Sequence, residues 1–304
     1  MARYIPSLAH FRRKHFDSFA PRDSRRAGPL SDTFQGPGVE RKNPVGRRNA
    51  LPLGTYASWA RFEGMNTLSN WPHNRLLRAL PSRDLKRLMP ELEHIACQRG
   101  QVLMDADSPL DHVFFPDSGV VSVVAVYSDG SIIEMATIGR EGFTGVTAVF
   151  GAKCSSFRLL VQIPGTAAKM SRAAFTRAMD SMPSFRILMY TYVHAFLEQV
   201  LVSVACNGAH SLDERLARWL LMMRDRSDDD TLQITQSLLA EMLGVQRPTI
   251  TNAARELERA GLIVRGRRQV TILDRQGLTK ASCDCYQLVR MLISQHLPKT
   301  YPEK

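Results

Sequence analysis

The chain has 304 residues, 44% of them hydrophobic and 23% charged, which suits a folded protein of about two domains and excludes a fibrous or wholly disordered one. A formal charge of +11 invites a nucleic-acid partner, yet residues 1–64 alone hold 12 Lys/Arg against 5 Asp/Glu and the remainder is close to balance, so the signal has to be sought locally. The five cysteines (Cys97, Cys154, Cys206, Cys283 and Cys285) are odd in number and scattered, against a disulfide framework. No uninterrupted apolar run approaches the roughly 18 residues of a spanning helix and no secretory leader pattern stands out, so a cytoplasmic protein without a membrane partner is expected.

Residues 1–64 contain Arg-rich clusters such as Pro21-Arg22-Asp23-Ser24-Arg25-Arg26, Pro and Gly throughout, and no sustained apolar period. Such a stretch cannot bury enough surface to offset chain entropy, and a disordered basic tail is expected. An arm touching phosphates is the functional alternative, and a true translation start at Met65 is a third reading.

A first domain is expected over 65–183. Pro81-Ser82-Arg83-Asp84-Leu85 opens a short helix, with Ser82 as N-cap and Leu85, Leu88 and Met89 at helical spacing. Strands follow at Gln101–Met104, Asp111–Phe115, Gly119–Tyr127, Ile132–Ile138 and Phe157–Ile163, separated by turn-formers such as Ser128-Asp129-Gly130 and Pro164-Gly165. Several short strands at regular spacing predict an antiparallel barrel or sandwich, and the lack of βα alternation argues against a nucleotide-binding α/β domain.

Ser171 caps a helical region, and Pro183 sits near the start of a long apolar helix, Ser184–Ala205, within a segment 184–209. Met189, Val193, Phe196, Val200 and Ser203 recur at intervals of three and four, the spacing of a coiled-coil seam. Because the helix is apolar on other faces too, it is expected to pack on its own domain while pairing with a second copy. Ser211-Leu212-Asp213-Glu214 is a capping box opening a helix over Leu212–Arg224, and Asp228-Asp229-Asp230 reads as a solvated loop.

The strongest signal lies in a second domain over 210–280, with 281–304 left as a C-terminal tail or helix. Thr235 caps a helix Gln236–Leu243, Gly244 supplies a left-handed turn, and a second helix runs from Arg247-Pro248 to Ala260. Ile250, Ala253 or Ala254, and Leu257 form its apolar stripe, leaving Gln246, Arg247, Thr249, Thr251, Asn252 and Arg255 for the outward side. Arg pairs with guanine and Asn with adenine in the major groove, and this helix–turn–helix geometry presents the second helix there. Ile263–Leu273 then reads as a hairpin whose turn brings Arg265, Arg267 and Arg268 to phosphates. Between Gly244 and Arg268 there are 6 Arg against 2 Glu, so the basic charge is concentrated where the geometry needs it.

On these residues, with Glu214-Arg215-Leu216-Ala217-Arg218-Trp219-Leu220 and Thr235 through Thr251, the chain resembles the Crp/Fnr family of bacterial regulators over roughly residues 75–280. The resemblance implies an α+β protein: an N-terminal antiparallel β-roll like a cyclic-nucleotide-binding domain, a long dimerisation helix, and a C-terminal winged helix-turn-helix. It also implies a homodimer on palindromic promoter DNA, DNA contact through Arg247, Thr251 and Asn252, and contact with RNA polymerase.

The effector pocket departs from the family pattern. Where cyclic-nucleotide-binding members have Gly-Glu for the ribose, this chain has Gly145-Val146, and Ser155-Ser156 falls near the position of the phosphate-binding Arg. Arg158 lies three residues on, on the other face of an extended strand, and Val200 and Leu201 stand where the base would be hydrogen-bonded. A buried cyclic phosphate without its Arg partner is costly, so no cyclic AMP binding of the usual kind, and no cofactor, is expected. The tail before Met65 has no cysteine for the family's iron–sulfur sensor. Cys283-Asp284-Cys285 and the pair His94 and Cys97 are weak metal cues with no second pair nearby in sequence, and no metal is expected. With no nucleophile–base pair or phosphate loop, the chain is read as a transcription regulator and not an enzyme. The alternative is a regulatory or enzyme subunit whose C-terminal domain docks protein.

Overall fold

The computed structural model describes residues 71–227 and 229–297. The tail at 1–64, Asp228 of the acidic run and the last residues of the C-terminal segment lie outside the described residues.

Two short helices, α1 (Arg75–Arg78) and α2 (Ser82–Leu88), lead into the first domain; Pro81, not Ser82, occupies the N-cap position of α2. Seven strands follow: β1 (Leu92–Cys97), β2 (Val102–Met104), β3 (His112–Pro116), β4 (Val120–Val126), β5 (Ile132–Ile138), β6 (Arg158–Ile163) and β7 (Gly165–Ser171). They form two antiparallel sheets, ordered β1-β7-β3 and β2-β6-β4-β5, the expected β-roll.

The expected strands lie within a residue or so of the observed ones, but β1 and β7 are additions. β7 reads Gly-Thr-Ala-Ala-Lys-Met-Ser, poor in branched and aromatic residues, and tertiary contacts override that weak propensity. It is the central strand of its sheet, with Ala167 and Ala168 fully buried. At Gly165 a Cβ would sit 2.4 Å from the Ser118 carbonyl oxygen, so this close approach needs glycine.

Inside the roll, Phe143 packs against Phe115, Phe175 and Tyr192, and Phe175 against Phe185, with ring centroids 5.1 to 5.6 Å apart. Phe185 and Tyr192 belong to α4 (Pro183–Ala209), which follows α3 (Arg172–Ser181). Ser171 caps α3 as expected, accepting from the Ala174 N–H. Among the described residues α4 is the one helix long and apolar enough to cross a membrane. However, Phe185, Met189, Tyr192, Ala195 and Gln199 bury one side of it in the β-roll.

That burial corrects the expected seam. Met189 is fully buried in the domain's own core, and Val193 and Phe196 pack on the same core. Ile187, Tyr190, Leu197, Leu201 and Val204 are exposed instead, between 48% and 67%. With His194 they recur at alternating intervals of three and four, one position on from the expected set.

The second domain comprises α5 (Leu212–Arg226), β8 (Thr231–Leu232), α6 (Gln236–Leu243), α7 (Arg247–Arg259), β9 (Ile263–Arg265), β10 (Val270–Ile272) and α8 (Arg275–Ala281). The Ser211–Glu214 capping box that opens α5 is present. This domain is docked on the roll: Val120, Val124 and Ile163 share a buried cluster with Leu216, Leu220, Leu239 and Leu243.

Two polar links stitch the same junction. Fully buried Arg226 donates from Nε to Glu141 Oε1 at 2.7 Å, from Nη1 to the Met222 carbonyl at 3.1 Å and from Nη2 to Gln199 Oε1 at 3.0 Å. Glu134 of β5 accepts from Trp219 Nε1 at 2.8 Å and from Ser122 Oγ at 2.6 Å. Burial pushes the Glu134 carboxyl up to about 7, against the pull of those two donors.

The final helix, α9 (Cys285–His296), is an integral part of both cores and not an appendage. Val289, Ile293 and Leu297 complete the first domain's core and Tyr286 the second's. Asp225 of α5 accepts from Arg290 at 2.8 Å and from the Tyr286 hydroxyl at 3.0 Å, which fixes α9 in place.

Candidate nucleic-acid interface

The recognition unit is built from local rules. Thr235 caps α6 by accepting from the Leu238 N–H at 3.2 Å, and Gly244 ends it at φ +65°. That conformation is open to glycine at little cost and turns the chain sharply into α7. Pro248 sits in the first turn of α7, where its missing N–H forfeits no helical bond. Ile250, Ala253, Ala254 and Leu257 face inward, buried against α5 and α6.

The opposite face holds the expected readers. Gln246, Arg247, Thr249, Asn252 and Arg255 are all exposed. Arg255 Nη1 donates to Asn252 Oδ1 at 3.3 Å, placing the two side by side on the outward surface. Thr251 differs: it is half-buried, and its hydroxyl donates to the Arg247 carbonyl at 2.8 Å and contacts the Gln236 carboxamide. Its position therefore ties α7 to α6, and it is less available to a base than the sequence suggested.

The wing divides its three arginines. Arg265 is bound to Glu258 of α7, with its backbone N–H and Nε each 2.8 Å from a carboxylate oxygen. The Arg265 hydrogen bonds hold the Glu258 carboxyl below the usual carboxylate range. Arg265 thus braces the wing against the helix and is not a free phosphate ligand. Arg267 and Arg268 are exposed at the hairpin tip. Together with Arg247, Thr235, Gln236 and Ser237 they line one open groove between the wing and the start of the two helices. Three guanidiniums beside two helix N-termini make that groove attractive to phosphate. Gln236 and Ser237 had no signal in the sequence beyond their place in a first helical turn.

Residues 95–182 match the model of the cyclic nucleotide-binding domain, and residues 214–281 match that of the Crp-like helix-turn-helix domain, in that order and together over just over half of the chain. The chain belongs to the Crp/Fnr family.

It is 25% identical over 206 residues to the HTH-type transcriptional regulator Cmr of Mycobacterium tuberculosis, covering 64% of this chain and 78% of that one. In fold it is similar to FixK2 from Bradyrhizobium japonicum, with a TM-score of 0.56 at 17% identity, covering 63% of this chain and 98% of that one. A CRP-family transcriptional regulator from Thermus thermophilus gives a TM-score of 0.54 at 19% identity, covering 62% and 96% of the two chains. This Crp/Fnr protein is accordingly a DNA-binding regulator.

The positions expected to form an effector pocket are all described. Gly145, at φ +71°, leads into a 3-10 turn over Val146–Phe150, and the Val146 side chain packs against the domain core. Ser155 is occupied locally, donating to the Phe157 carbonyl at 2.7 Å, and Ser156 is exposed. Arg158 is turned to Asp105, with contacts of 2.8 and 3.1 Å. Val200 is half-buried and Leu201 exposed. None of these positions offers a buried cation for a phosphate or a carboxylate for a ribose.

Proposed function

We propose that this regulator works in the cytoplasm as a homodimer on palindromic promoter sites, pairing through the outer face of α4 and answering to a signal other than a cyclic nucleotide. The observation that supports this reading is the exposed stripe Ile187, Tyr190, His194, Leu197, Leu201 and Val204. Its alternating spacing is that of a two-stranded coiled coil, and so many large apolar side chains in one row favour burial against a second copy. A two-fold axis along α4 would set the two α7 helices about one DNA turn, roughly 34 Å, apart. Arg247, Asn252 and Arg255 would then read bases while Arg267 and Arg268 hold phosphates. As in the family, RNA polymerase is the partner such a dimer would engage at a promoter.

The test is Leu201→Glu, which sets two like charges against each other across the axis without touching the core. A folded monomer that has lost palindrome binding is expected by ultracentrifugation and by titration on the same sample. A dimer of undiminished affinity would refute the seam, and a folded monomer that binds the full palindrome as tightly as the parent would refute the dimer mechanism. Duplex binding that is indifferent to salt would favour the protein-docking alternative, since phosphate contacts release counterions.

A further inference from the structure

Cys206 lies in the last turn of α4, and His210 is the C-cap residue, its N–H donating to the Cys206 carbonyl at 3.1 Å. Cys283 and Cys285 flank Asp284 at the junction of α8 and α9. The fold brings these two pairs together. Cys206 Sγ is 3.5 Å from Cys283 Sγ, and Cys285 Sγ is 3.6 Å from His210 Nδ1. All four ligand atoms lie within 4.8 Å of one another, the three cysteines are buried, and none is oxidised.

A tetrahedral zinc ion bound by thiolates at about 2.3 Å and imidazole at about 2.0–2.1 Å sets its ligand atoms about 3.6–3.8 Å apart. The separations of 3.5 and 3.6 Å are close to edges of that tetrahedron, and a cluster no wider than 4.8 Å leaves room for one ion, not a multi-iron cluster. A second observation concerns charge. Arg218 of α5 is buried, its Nη1 reaches the thioether of Met222, and its Nε has no hydrogen-bond partner among the described residues. Arg215 has a similarly unpartnered Nε. Both arginines lie in the first two turns of α5, which begins two residues after His210. A buried cation needs compensating negative charge nearby, and a divalent ion with three thiolates supplies one net negative charge.

We propose that Cys206, His210, Cys283 and Cys285 form a structural zinc site that clamps the end of α4 to the α8–α9 junction. Binding converts three thiols to thiolates and releases their protons to solvent. The site lies at the connection between α4 and α5, so it fixes the angle at which the DNA-binding domain leaves the long helix. Because the ion is held without an open position, its role is mechanical and not catalytic.

The test uses the full chain, untagged and purified under reducing conditions, with metal content measured by plasma mass spectrometry. One zinc per chain is expected, and cobalt exchanged into the site should give the intense sulfur-to-metal absorption of a tetrahedral thiolate centre. Cys285→Ser and His210→Ala should each lose most of the bound zinc, while Cys154→Ser, at an exposed cysteine, should keep it. The wild-type measurements decide the matter even where a variant fails to fold. Three results would overturn the proposal: sub-stoichiometric zinc with no cobalt–thiolate absorption, zinc retained in full by folded Cys285→Ser and His210→Ala, or a Cys206–Cys283 disulfide in the protein as isolated.

Discussion

Arg226→Met tests whether the two domains are held in one arrangement. The substitution keeps much of the side chain's bulk and removes the hydrogen bonds to Glu141, Met222 and Gln199. Glu141, only 3% exposed, would keep the Gly139 N–H at 3.2 Å as its hydrogen-bond donor. Removing one partner of a buried pair costs about 3–5 kcal/mol, because the other charge stays buried without compensation. The surroundings cannot close in freely, since a Cβ on Gly139 would already lie 2.6 Å from the Arg226 side chain. Denaturant unfolding of Arg226→Met, Glu141→Gln and the double variant separates the pair from general packing loss. Each single change should cost several kcal/mol, and the double much less than their sum, because replacing both partners leaves no orphaned charge. Singles within about 1 kcal/mol of the parent, or a strictly additive double, would refute the reasoning.

Glu134 makes stability depend on pH. Its carboxyl, ordinarily at 4.5, is raised to about 7 in the folded protein, so between those values the folded state holds a proton that the unfolded chain has lost. Stability should therefore fall by up to about 1.4 kcal/mol per pH unit as pH rises through that window. Glu134→Gln should flatten the profile, and an unchanged slope in thermal melts would contradict the assignment. In the wing, Arg267→Ala and Arg268→Ala should each lower the salt dependence of DNA binding by about 0.9 in log–log slope. Arg265→Ala should leave that slope alone and instead weaken the wing's attachment to α7, as equal slopes for all three would disprove. Arg247→Ala should cost about 1–3 kcal/mol on the specific site, whereas an equal loss on random duplex would mean it touches phosphate alone. Calorimetry with cyclic AMP should detect no binding, and micromolar affinity would overturn the reading of Val146 and Ser155.

The recognition unit was legible because its signals are local. Thr235, Gly244, Pro248 and the stripe from Ile250 to Leu257 each act on the nearest turn of chain, and the structure places all of them as read. The long helix was harder. Apolar residues surround α4, so spacing alone does not say which row meets the β-roll and which faces away. Met189 and Tyr190 are equally plausible seam residues until the aromatic cluster around Phe143 claims the first. β7 was missed because its alanines are chosen by the closeness of neighbouring backbone and not by strand propensity. Arg265 resembles a phosphate ligand in the sequence because no local motif pairs it with Glu258, the last residue but one of α7. The cysteine–histidine cluster joins residues 206–210 to residues 283–285, a separation that no local motif spans.

The place of α9 has a consequence for biosynthesis. Val289, Ile293 and Leu297 fill a core whose first residues, Leu76 and Leu77, emerge from the ribosome long before them. Domains ordinarily fold in turn as the nascent chain lengthens, the N-terminal one first. Here the N-terminal domain cannot close its interior until α9 has been synthesised and has left the ribosome. A chain interrupted just before Val289 would thus damage the N-terminal domain, not the DNA-binding half that precedes the break.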